Sequence, residues 1–595
     1  MSSDPEIGPA ITEPAAPHPV PDAFGANLYA DDTELQALLP LYLSADLCAH
    51  LQAPLMRLGG LAGGELDSLA HTADQHPPTL EHRTRTGVDA QRIVKHPAYV
   101  AMERLAFGEL GLAAMSHRAG VLGWPETMPP AAKYALTYLF VQAEFGLCCP
   151  LSMTDSLSRT LRRFGSPDLV QRHLSGLLSQ DLDQLCQGAM FMTEQGAGSD
   201  VAATATQALP CNDGDAGAYT LHGDKWFCSN PDAGLAMVLA RIAGAPAGMA
   251  GVSLFLLPRS LADGSANAYR ILRLKDKLGS RSMASGEIRL EGARAWLVGE
   301  PGRGFQQMAD MVNNSRLSNG VRAAGLMRRA YGEAWHVARH RSAFGQRLID
   351  LPLMRRQLLK LLLPTEQARS MLFQTADALR HADAGQTEAA ALLRILTPLI
   401  KFRACRDARR VTGDAMEVRG GCGYVEEWTD PRLVRDAHLG SIWEGTSNIV
   451  ALDVLRAIRR DQALPALQQH LQARLGQTDM HTGAREVFAH SLARTLALAA
   501  KVAEAPGRSP AQARQAASGL YHASTAIAMA WEAGQTGSTR RMRLAQMVLK
   551  LRLLPQDPLA LSEEPAWLPA LLEPDQEAAG SGRLDTPTTA RVNLF

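Results

Sequence analysis

Residues 420–450 place a cluster of small residues ahead of a lone carboxylate. The stretch opens with Gly420, Gly421 and Gly423, which lack a Cβ atom and let backbone amides approach a ligand closely. Near its end, Glu444 follows the large aromatic Trp443. A carboxylate held against an apolar wall can have its pKa raised toward neutrality, which suits a general base. On these residues alone, a solvated glutamate in a glycine-rich loop explains the pattern equally well.

The composition excludes several classes of protein. A chain of 595 residues is too long for one hydrophobic core, so several domains are expected. Its 60 basic and 60 acidic residues cancel, so no overall charge favours nucleic acid or membrane. The eight cysteines form no CxxC pair, which argues against a zinc site and a disulfide framework and fits a reducing cytoplasm. We therefore expect a cytoplasmic protein without a metal site.

The start of the chain predicts neither a signal peptide nor an anchor. Residues 1–22 are polar and rich in proline, which predicts a flexible or extended arm. They lack the basic start and apolar core of a signal peptide. The longest apolar runs, such as 136–153, are broken by Gln142 and Glu144, and none is long enough to span a bilayer. The sequence thus predicts no membrane insertion.

Hydrophobic periodicity divides the rest of the chain into four parts. Helical spacing over residues 23–188 predicts an N-terminal helical domain, with a buried helix over 131–147. Short runs between Gly, Asp, Asn and Pro turns predict a β-barrel or sandwich over 189–300. Long helical stripes over 301–462 suit a four-helix bundle, and 463–595 is expected to be a C-terminal helical extension with a loose end. The predicted fold class is α+β, with a β domain between two helical domains.

Four motifs in this order resemble those of the acyl-CoA dehydrogenase family of flavoproteins. MTEQGAGSD at 192–200 resembles the loop that begins the family's β domain, and KWFCSN at 225–230 resembles the strand along the flavin. RSAFG at 341–345 resembles the RxxFG element. The stretch 420–450 resembles the family's GGxGY block, its Arg-Asp pair and its EGTS catalytic loop. The resemblance implies FAD as the cofactor.

The resemblance assigns most of these residues to FAD. Thr193 and the Met192 backbone would serve the ring edge, Phe227 would pack on the flavin, and Arg341 would pair with the diphosphate, often from a neighbouring subunit. The turn at 196–199 could present amides to an anion. A plain hairpin turn, a core strand and a helix-end arginine stay open as alternatives from the residues themselves. The predicted cofactor set is Met192, Thr193, Gly198, Ser199, Phe227, Ser229, Arg341, Phe344, Gly420, Gly421, Gly423, Trp443, Gly445, Thr446 and Asn448.

Glu444 resembles the family's catalytic base. In the family mechanism the base removes the α-proton of an acyl thioester while the β-hydride goes to flavin N5. A flavin ribose hydroxyl and the backbone amide of the base bind the thioester carbonyl. The predicted substrate residues are Ser199, Arg316 and Arg435. Two departures from the family pattern, Asn313 for an acid and Pro352 for a glutamine, leave the acyl chain open, and the electron acceptor is also unassigned.

Further segments resemble the AidB branch of the family, which belongs to the bacterial response to DNA alkylation. These are NLYADD at 27–32, HPAY at 96–99, LKDKLGSRSMASGE at 274–287, PLMRR at 352–356 and SIWEG at 441–445. Arg435-Asp436 and Thr446-Ser447, in contrast, are closer to working dehydrogenases than to AidB. The resemblance implies a homotetramer that acts on an acyl-CoA-like thioester.

The alternative function is a flavin-containing protein that binds double-stranded DNA and in which dehydrogenation is vestigial. DNA binding needs a basic surface. The C-terminal extension offers a local cluster at Arg540, Arg541, Arg543, Lys550 and Arg552, and a second cluster is Arg456, Arg459 and Arg460. Clusters of this size are also common on solvated helix faces, so both interpretations stay open.

Overall fold

The structure is a computed structural model that describes residues 19–212, 214–215, 217–504, 510–561 and 564–573. Its N-terminal part is helical, with a small antiparallel hairpin before the fourth helix. The helices are α1 (Thr33–Leu38), α2 (Ala45–Gly63), α3 (Glu65–Gln75), α4 (Pro97–Glu103), α5 (Pro130–Phe140), α6 (Cys148–Phe164) and α7 (Pro167–Leu177), and the strands are β1 (Thr79–Arg83) and β2 (Asp89–Val94). Ser44 and Ser166 begin α2 and α7 by accepting a hydrogen bond from a backbone N–H three residues on.

The predicted helix over 131–147 is wrong in its second half. Helix α5 ends at Phe140, and a buried turn leads to α6. The Glu144 carboxylate accepts the Leu147 backbone N–H at 2.8 Å and the Ser282 hydroxyl at 2.7 Å. Because the turn is as buried as a helix core and its polar groups are satisfied by distant partners, periodicity alone could not reveal it.

The middle part is a closed β structure. Its strands are β3 (Gly188–Phe191), β4 (Gln207–Pro210), β5 (Ala218–Ser229), β6 (Leu235–Ile242), β7 (Val252–Pro258), β8 (Tyr269–Leu274) and β9 (Ser285–Val298). Strands β6, β4, β5, β9 and β7 pair in a ring that β7 closes on β6, while β3 and β8 flank it. Small and branched apolar residues such as Ala236, Val238 and Ile288 fill its core. Strand β5 is bulged where its register against β9 shifts.

Long helices return after β9. They are α8 (Gly304–His340), α9 (Pro352–Asp383), α10 (Thr387–Arg419), α11 (Thr429–Gly440) and α12 (Ser447–Arg460). A short hairpin of β10 (Ser342–Ala343) and β11 (Gln346–Arg347) joins α8 to α9. Helices α8, α9 and α10 pack on one another, and α10 also packs on α11 and α12. The α–β–α order confirms the predicted α+β fold class.

The C-terminal extension is also helical, with α13 (Ala463–Gln477), α14 (Thr482–Glu504), α15 (Ala513–Thr536), α16 (Thr539–Val548) and α17 (Leu568–Leu572). Arg541 is only 1% exposed and forms ion pairs with Glu34, Glu366 and Glu532. The buried Arg540 binds the same Glu34 at 2.6 Å. Two arginines of the basic cluster at 540–552 are therefore buried, and they tie the extension to α1 and α9.

Residues 1–18 of the predicted arm and 574–595 of the predicted loose end lie outside the described residues. Arg419 donates a hydrogen bond to the carbonyl of Pro21 at 3.0 Å, so the end of the predicted arm contacts the bundle. The predicted boundary after 188 falls at the start of β3, the one after 300 between β9 and α8, and the one after 462 between α12 and α13. As domain boundaries, all three stay predictions. Within the described ranges, no helix is long and apolar enough to cross a membrane.

Candidate active site

The loop before α12 holds Glu444 in an unusual backbone conformation. Glu444 has φ +53° and the next residue, Gly445, has φ +98°, so two successive residues lie in the left-handed region that favours glycine. A Cβ atom at position 445 would lie 3.3 Å from Nη2 of Arg316. The Arg316 Nε atom donates to the Glu444 carbonyl at 3.0 Å, and Lys401 Nζ donates to the Trp443 carbonyl at 2.9 Å. Arg316 and Lys401 thus hold the strained loop through hydrogen bonds to its carbonyls.

The Glu444 carboxylate is held by two side chains of α8. The Ser315 hydroxyl donates to one oxygen and the Asn319 amide donates to the other. Ser315 and Asn319 lie one helical turn apart and are both buried. The Asn319 carbonyl oxygen in turn accepts the Trp443 indole N–H at 2.7 Å. One amide therefore orients both the carboxylate and the aromatic residue beside it.

Aromatic rings and a guanidinium form the wall next to Glu444. The Trp443 ring stacks on Phe145 with 6.0 Å between centroids. The Arg322 guanidinium lies 4.9 Å from the Trp443 ring and 5.6 Å from the Phe145 ring. Phe145 comes from the turn between α5 and α6 that the sequence did not predict. The apolar wall expected at Trp443 is thus built from three elements.

Ser229 of the β domain bonds to Cys149 of α6, a thiol that also senses the charges of Arg322 and Glu444. Burial raises the pKa of the Cys149 thiol, and the Glu444 charge raises it further, whereas Arg322 and a hydrogen bond from Ser229 lower it. Ser229 ends strand β5, where the sequence predicted contact with the reactive edge of a flavin. On the same strand Phe227 is 58% exposed, which is unusual for so large an aromatic ring. The end of β5 therefore presents an open ring two residues before Ser229, the residue that bonds to Cys149.

The predicted flavin loop at 192–200 is anchored by Glu194, which was not among the predicted site residues. The buried Glu194 carboxylate accepts hydrogen bonds from Lys225 Nζ at 2.6 Å and from the Ala205 backbone N–H at 2.6 Å. Thr193 binds β5 through its carbonyl, which accepts the Trp226 N–H at 2.8 Å. Both Gly196 and Gly198 have open space where a Cβ atom would lie, and Ser199 is exposed. A buried ion pair thus holds an open, amide-rich turn at the surface. The only sequence indication of this pair was the presence of Glu194 within the motif at 192–200.

Two of the three predicted substrate residues lie in ion pairs. Arg316 binds Asp453 at 2.8 Å in addition to the Glu444 carbonyl, so it positions the loop that carries Glu444. Arg435 is 8% exposed and pairs with Asp74 on α3 and with Glu426. The contacts give Arg435 a structural role that joins α11 to the N-terminal domain.

A second group of predicted cofactor residues lies on the bundle surface. Arg341 Nη1 donates to the Arg419 carbonyl at 3.1 Å, directly before Gly420, which has φ +74°. At the tip of the β10–β11 hairpin, Phe344 is 92% exposed. Gly420 and Gly421 are exposed, whereas Gly423 is buried against Met416. This group offers open backbone and one cation at the place where α10 ends.

The N-terminus of α12 adds a further anion-binding element. Thr446 precedes the helix and makes no side-chain hydrogen bond to its first turn, and both Thr446 and Asn448 are exposed. The first amides of a 14-residue helix carry partial positive charge and suit a phosphate. The amides of this helix and of the open glycine turn, together with Arg341, are the donors that a flavin dinucleotide needs. The exposed ring of Phe227 adds an apolar face.

Comparisons with known proteins agree on one family from the N-terminal helices to the bundle. Residues 302–459 match the acyl-CoA dehydrogenase C-terminal domain, 189–293 match its middle domain, and 19–184 match the N-terminal domain of adaptive response protein AidB. Acyl-CoA dehydrogenase family member 11 of Caenorhabditis elegans is 32% identical over 463 residues, which cover 76% of this chain and 74% of the relative. Putative acyl-CoA dehydrogenase AidB of Escherichia coli is 36% identical over 67% of this chain and 72% of the relative.

Solved structures share the fold. That of Caenorhabditis elegans ACDH-11 in complex with C11-CoA superposes with a TM-score of 0.84 at 28% identity, covering 92% of this chain and 94% of that one. An acyl-CoA dehydrogenase from Bacillus anthracis, complexed with FAD, superposes with a TM-score of 0.67 at 18% identity, covering 95% and 97%. The prediction of FAD as the cofactor is confirmed. The chain belongs to the acyl-CoA dehydrogenase family, flavin-dependent oxidoreductases acting on CH–CH bonds, and carries an AidB-type N-terminal domain.

Proposed function

We propose that the protein removes the α- and β-hydrogens of an acyl-CoA thioester, with Glu444 as the base. The observation that carries the proposal is the Glu444 carboxylate itself. It stands on a strained loop, is oriented by Ser315 and Asn319, and follows Trp443, which stacks on Phe145. Strain of this kind persists only where the surroundings enforce it, and it concentrates at functional sites.

The residues of the chain have distinct tasks in this reaction. Bound FAD supplies the acceptor for the β-hydride. Glu444 takes the α-proton, and its backbone N–H donates to the thioester carbonyl, which makes the α-carbon more acidic. Arg316 and Lys401 hold the loop carbonyls and so fix where that N–H points. Trp443 and Phe145 exclude water from the carboxylate.

The substrate class has support from a relative. The ACDH-11 structure holds C11-CoA, an acyl thioester of coenzyme A. The present chain matches that protein over nearly its whole length. An acyl-CoA thioester therefore accounts for both the fold and the carboxylate at the site.

An anaerobic titration tests the proposal. The purified yellow holoenzyme is mixed with a panel of acyl-CoA esters, and flavin bleaching is followed in the wild type and in Glu444→Gln. We expect the variant to keep its flavin and to bleach at least about 100-fold more slowly, since positioned general bases contribute factors of about 10² to 10⁴. The matched control is Glu427→Gln, the same change at an exposed glutamate, which is expected to react at the wild-type rate. Bleaching of Glu444→Gln at the wild-type rate would refute the assignment.

We further propose that four chains assemble so that the surface group around Arg341 and Gly420 completes the flavin site of a neighbour. The support is exposure: Phe344 at the hairpin tip is 92% exposed and Tyr424 in the glycine block is 83% exposed, although both are large rings. Light scattering on the holoenzyme should give the mass of a tetramer, and Phe344→Ser should lower both that mass and the bound FAD. A wild-type monomer with full FAD content would contradict this arrangement.

The DNA-binding alternative gains no support from the extension. Arg540 and Arg541 are buried in ion pairs and cannot contact a phosphate backbone without breaking them. Arg456, Arg459 and Arg460 of the second cluster are exposed on α12, so they are the residues on which the DNA-binding alternative depends.

A further inference from the structure

Arg322 is a buried arginine on the helix that orients the catalytic carboxylate. Ser315, Asn319 and Arg322 lie at helical spacing along one stripe of α8. The first two bind Glu444, and Arg322 continues the stripe by one turn. Its side chain is 0% exposed and touches Trp443, the residue before Glu444. Arg322 thus belongs to the interior of the same site.

The guanidinium of Arg322 is only partly satisfied. Its Nε atom donates to the Ser318 carbonyl at 3.3 Å. Among the described residues, neither Nη1 nor Nη2 has a hydrogen-bond partner. The Trp443 and Phe145 rings stabilise the charge through its faces, but the N–H groups at its edge still need acceptors. A buried cationic donor without a hydrogen bond costs free energy. An acceptor from outside the chain that bonds to this edge would therefore bind favourably.

Arg322 also lies one turn before α8 meets α5. One turn further on, a Cβ atom at Gly325 would lie 2.8 Å from the Tyr138 carbonyl of α5, so the two helices touch there. Helical side chains lean toward the N-terminus of their helix, which turns the guanidinium back toward Asn319. The seven residue steps from Ser315 to Arg322 span roughly 10 Å of helix. An acyl chain that starts over Glu444 and follows α8 past Asn319 therefore meets Arg322 before the two helices close on each other.

The charges around the guanidinium do not neutralise it. Both oxygens of Glu444 are bound by Ser315 and Asn319, and Arg316 is balanced by Asp453. Burial raises the pKa of the Glu144 carboxyl, which favours its neutral form. Burial also raises the pKa of the neighbouring thiols of Cys148, Cys149 and Cys405, which favours their neutral forms. Burial lowers the pKa of Lys401, and this residue carries no negative charge in either form. An anionic group entering the site finds no carboxylate already paired with Arg322.

We propose that Arg322 is a specificity-determining residue that binds a carboxylate at the far end of a short acyl chain, so that the preferred substrate is an ω-carboxyacyl-CoA. The inference rests on the proposed dehydrogenation and adds the substrate's second functional group. The planar fork of arginine matches a carboxylate with two parallel hydrogen bonds, and its two free nitrogens are those required. The close approach of α8 and α5 at Gly325 leaves no room beyond Arg322, so only short chains would place their carboxylate there.

The test compares matched pairs of thioesters on the holoenzyme. Glutaryl-CoA is paired with valeryl-CoA and adipyl-CoA with hexanoyl-CoA, so that each pair has equal carbon number and differs in the carboxylate. The wild type is expected to favour the carboxylated member in kcat/KM for flavin bleaching. In Arg322→Met, which keeps the buried stem, that preference is expected to fall by about 10- to 100-fold, the range for a lost charged hydrogen bond. Arg322→Lys keeps the charge without the fork and should give an intermediate preference, so it serves if the Met variant does not fold.

A binding experiment separates failure of this inference from failure of the proposed function. Calorimetry with Glu444→Gln and with Glu444→Gln/Arg322→Met measures affinity for glutaryl-CoA and valeryl-CoA without any reaction. Tighter binding of glutaryl-CoA that disappears in the double variant supports the inference even if no ester bleaches the flavin, an outcome that would overturn the dehydrogenase function. Equal preference in all variants, with bleaching intact, would overturn the role of Arg322 alone and leave a bound water as its partner.

Discussion

Asp436 predicts a measurable pH dependence of stability. It lies on α11 and is fully buried, and its Oδ1 accepts the Ser280 backbone N–H at 2.5 Å. Burial, reinforced by the Asp74 charge, raises the pKa of the Asp436 carboxyl from 3.8 to about 7. An acid whose pKa is raised by folding binds more protons in the folded state, so stability falls as pH rises from about 4 to about 7. A pKa raised by about three corresponds to about 4 kcal/mol of stability, which is fully lost above the folded pKa.

The perturbation is Asp436→Asn, which keeps an acceptor for Ser280 but cannot ionise. Between pH 5 and pH 8 the stability of the variant relative to the wild type should rise by about 2.5 kcal/mol. With about 2.1 cal/mol/K of unfolding entropy per residue over 595 residues, that corresponds to about 2 °C in Tm, and to more if a smaller unit unfolds. Thermal melts of wild type, Asp436→Asn and the exposed-site control Asp479→Asn across this range measure it. A difference in Tm between Asp436→Asn and wild type that does not change with pH would refute the reasoning.

Three other substitutions test separate contacts. Asn319→Leu removes the amide that orients Glu444 and should lower kcat by about 10- to 100-fold with KM unchanged; a loss of FAD content instead would contradict a positioning role. Lys225→Met leaves the Glu194 carboxylate buried without its partner and should destabilise the protein by about 3–5 kcal/mol in thermal or urea unfolding. Adding Glu194→Gln should recover part of that loss, and no recovery would show that the ion pair is not its cause. Arg541→Met should destabilise by a similar amount because three carboxylates lose a shared cation, whereas an unchanged Tm would place Arg541 outside the core.

The order of the domains could be predicted from the sequence because it depends on local patterns. Alternating strands between turns and long apolar stripes are properties of neighbouring residues. The break after Phe140 could not be predicted, since the Glu144 carboxylate that supports the turn bonds to Ser282, far along the chain. The hairpin of β1 and β2 was missed because β1 is almost wholly exposed and neither strand alternates apolar with polar residues in sequence.

Site residues divide in the same way. Glu444 and its flanking Trp443 and Gly445 stand together in the sequence, so their combination was visible. The partners that give each residue its task lie far away: Asn319 is 125 positions from Glu444, and Asp74 is 361 positions from Arg435. Arg316 and Arg435 were expected to bind the substrate because these ion-pair partners are distant in sequence. In the structure Arg316 forms an ion pair with Asp453, and Arg435 forms one with Asp74. Arg322 gave no sequence signal, because a buried arginine is recognised only by what surrounds it.

The most direct test of Glu444 as the base isolates the proton step. An acyl-CoA analogue with sulfur in place of the β-carbon can lose its α-proton but has no β-hydrogen to give. Incubated with the holoenzyme in D₂O, it should exchange its α-hydrogens for deuterium, as followed by NMR, in the wild type and in Glu427→Gln. We expect that Glu444→Gln does not catalyse this exchange, and exchange by that variant at the wild-type rate would contradict the role of Glu444 as the base.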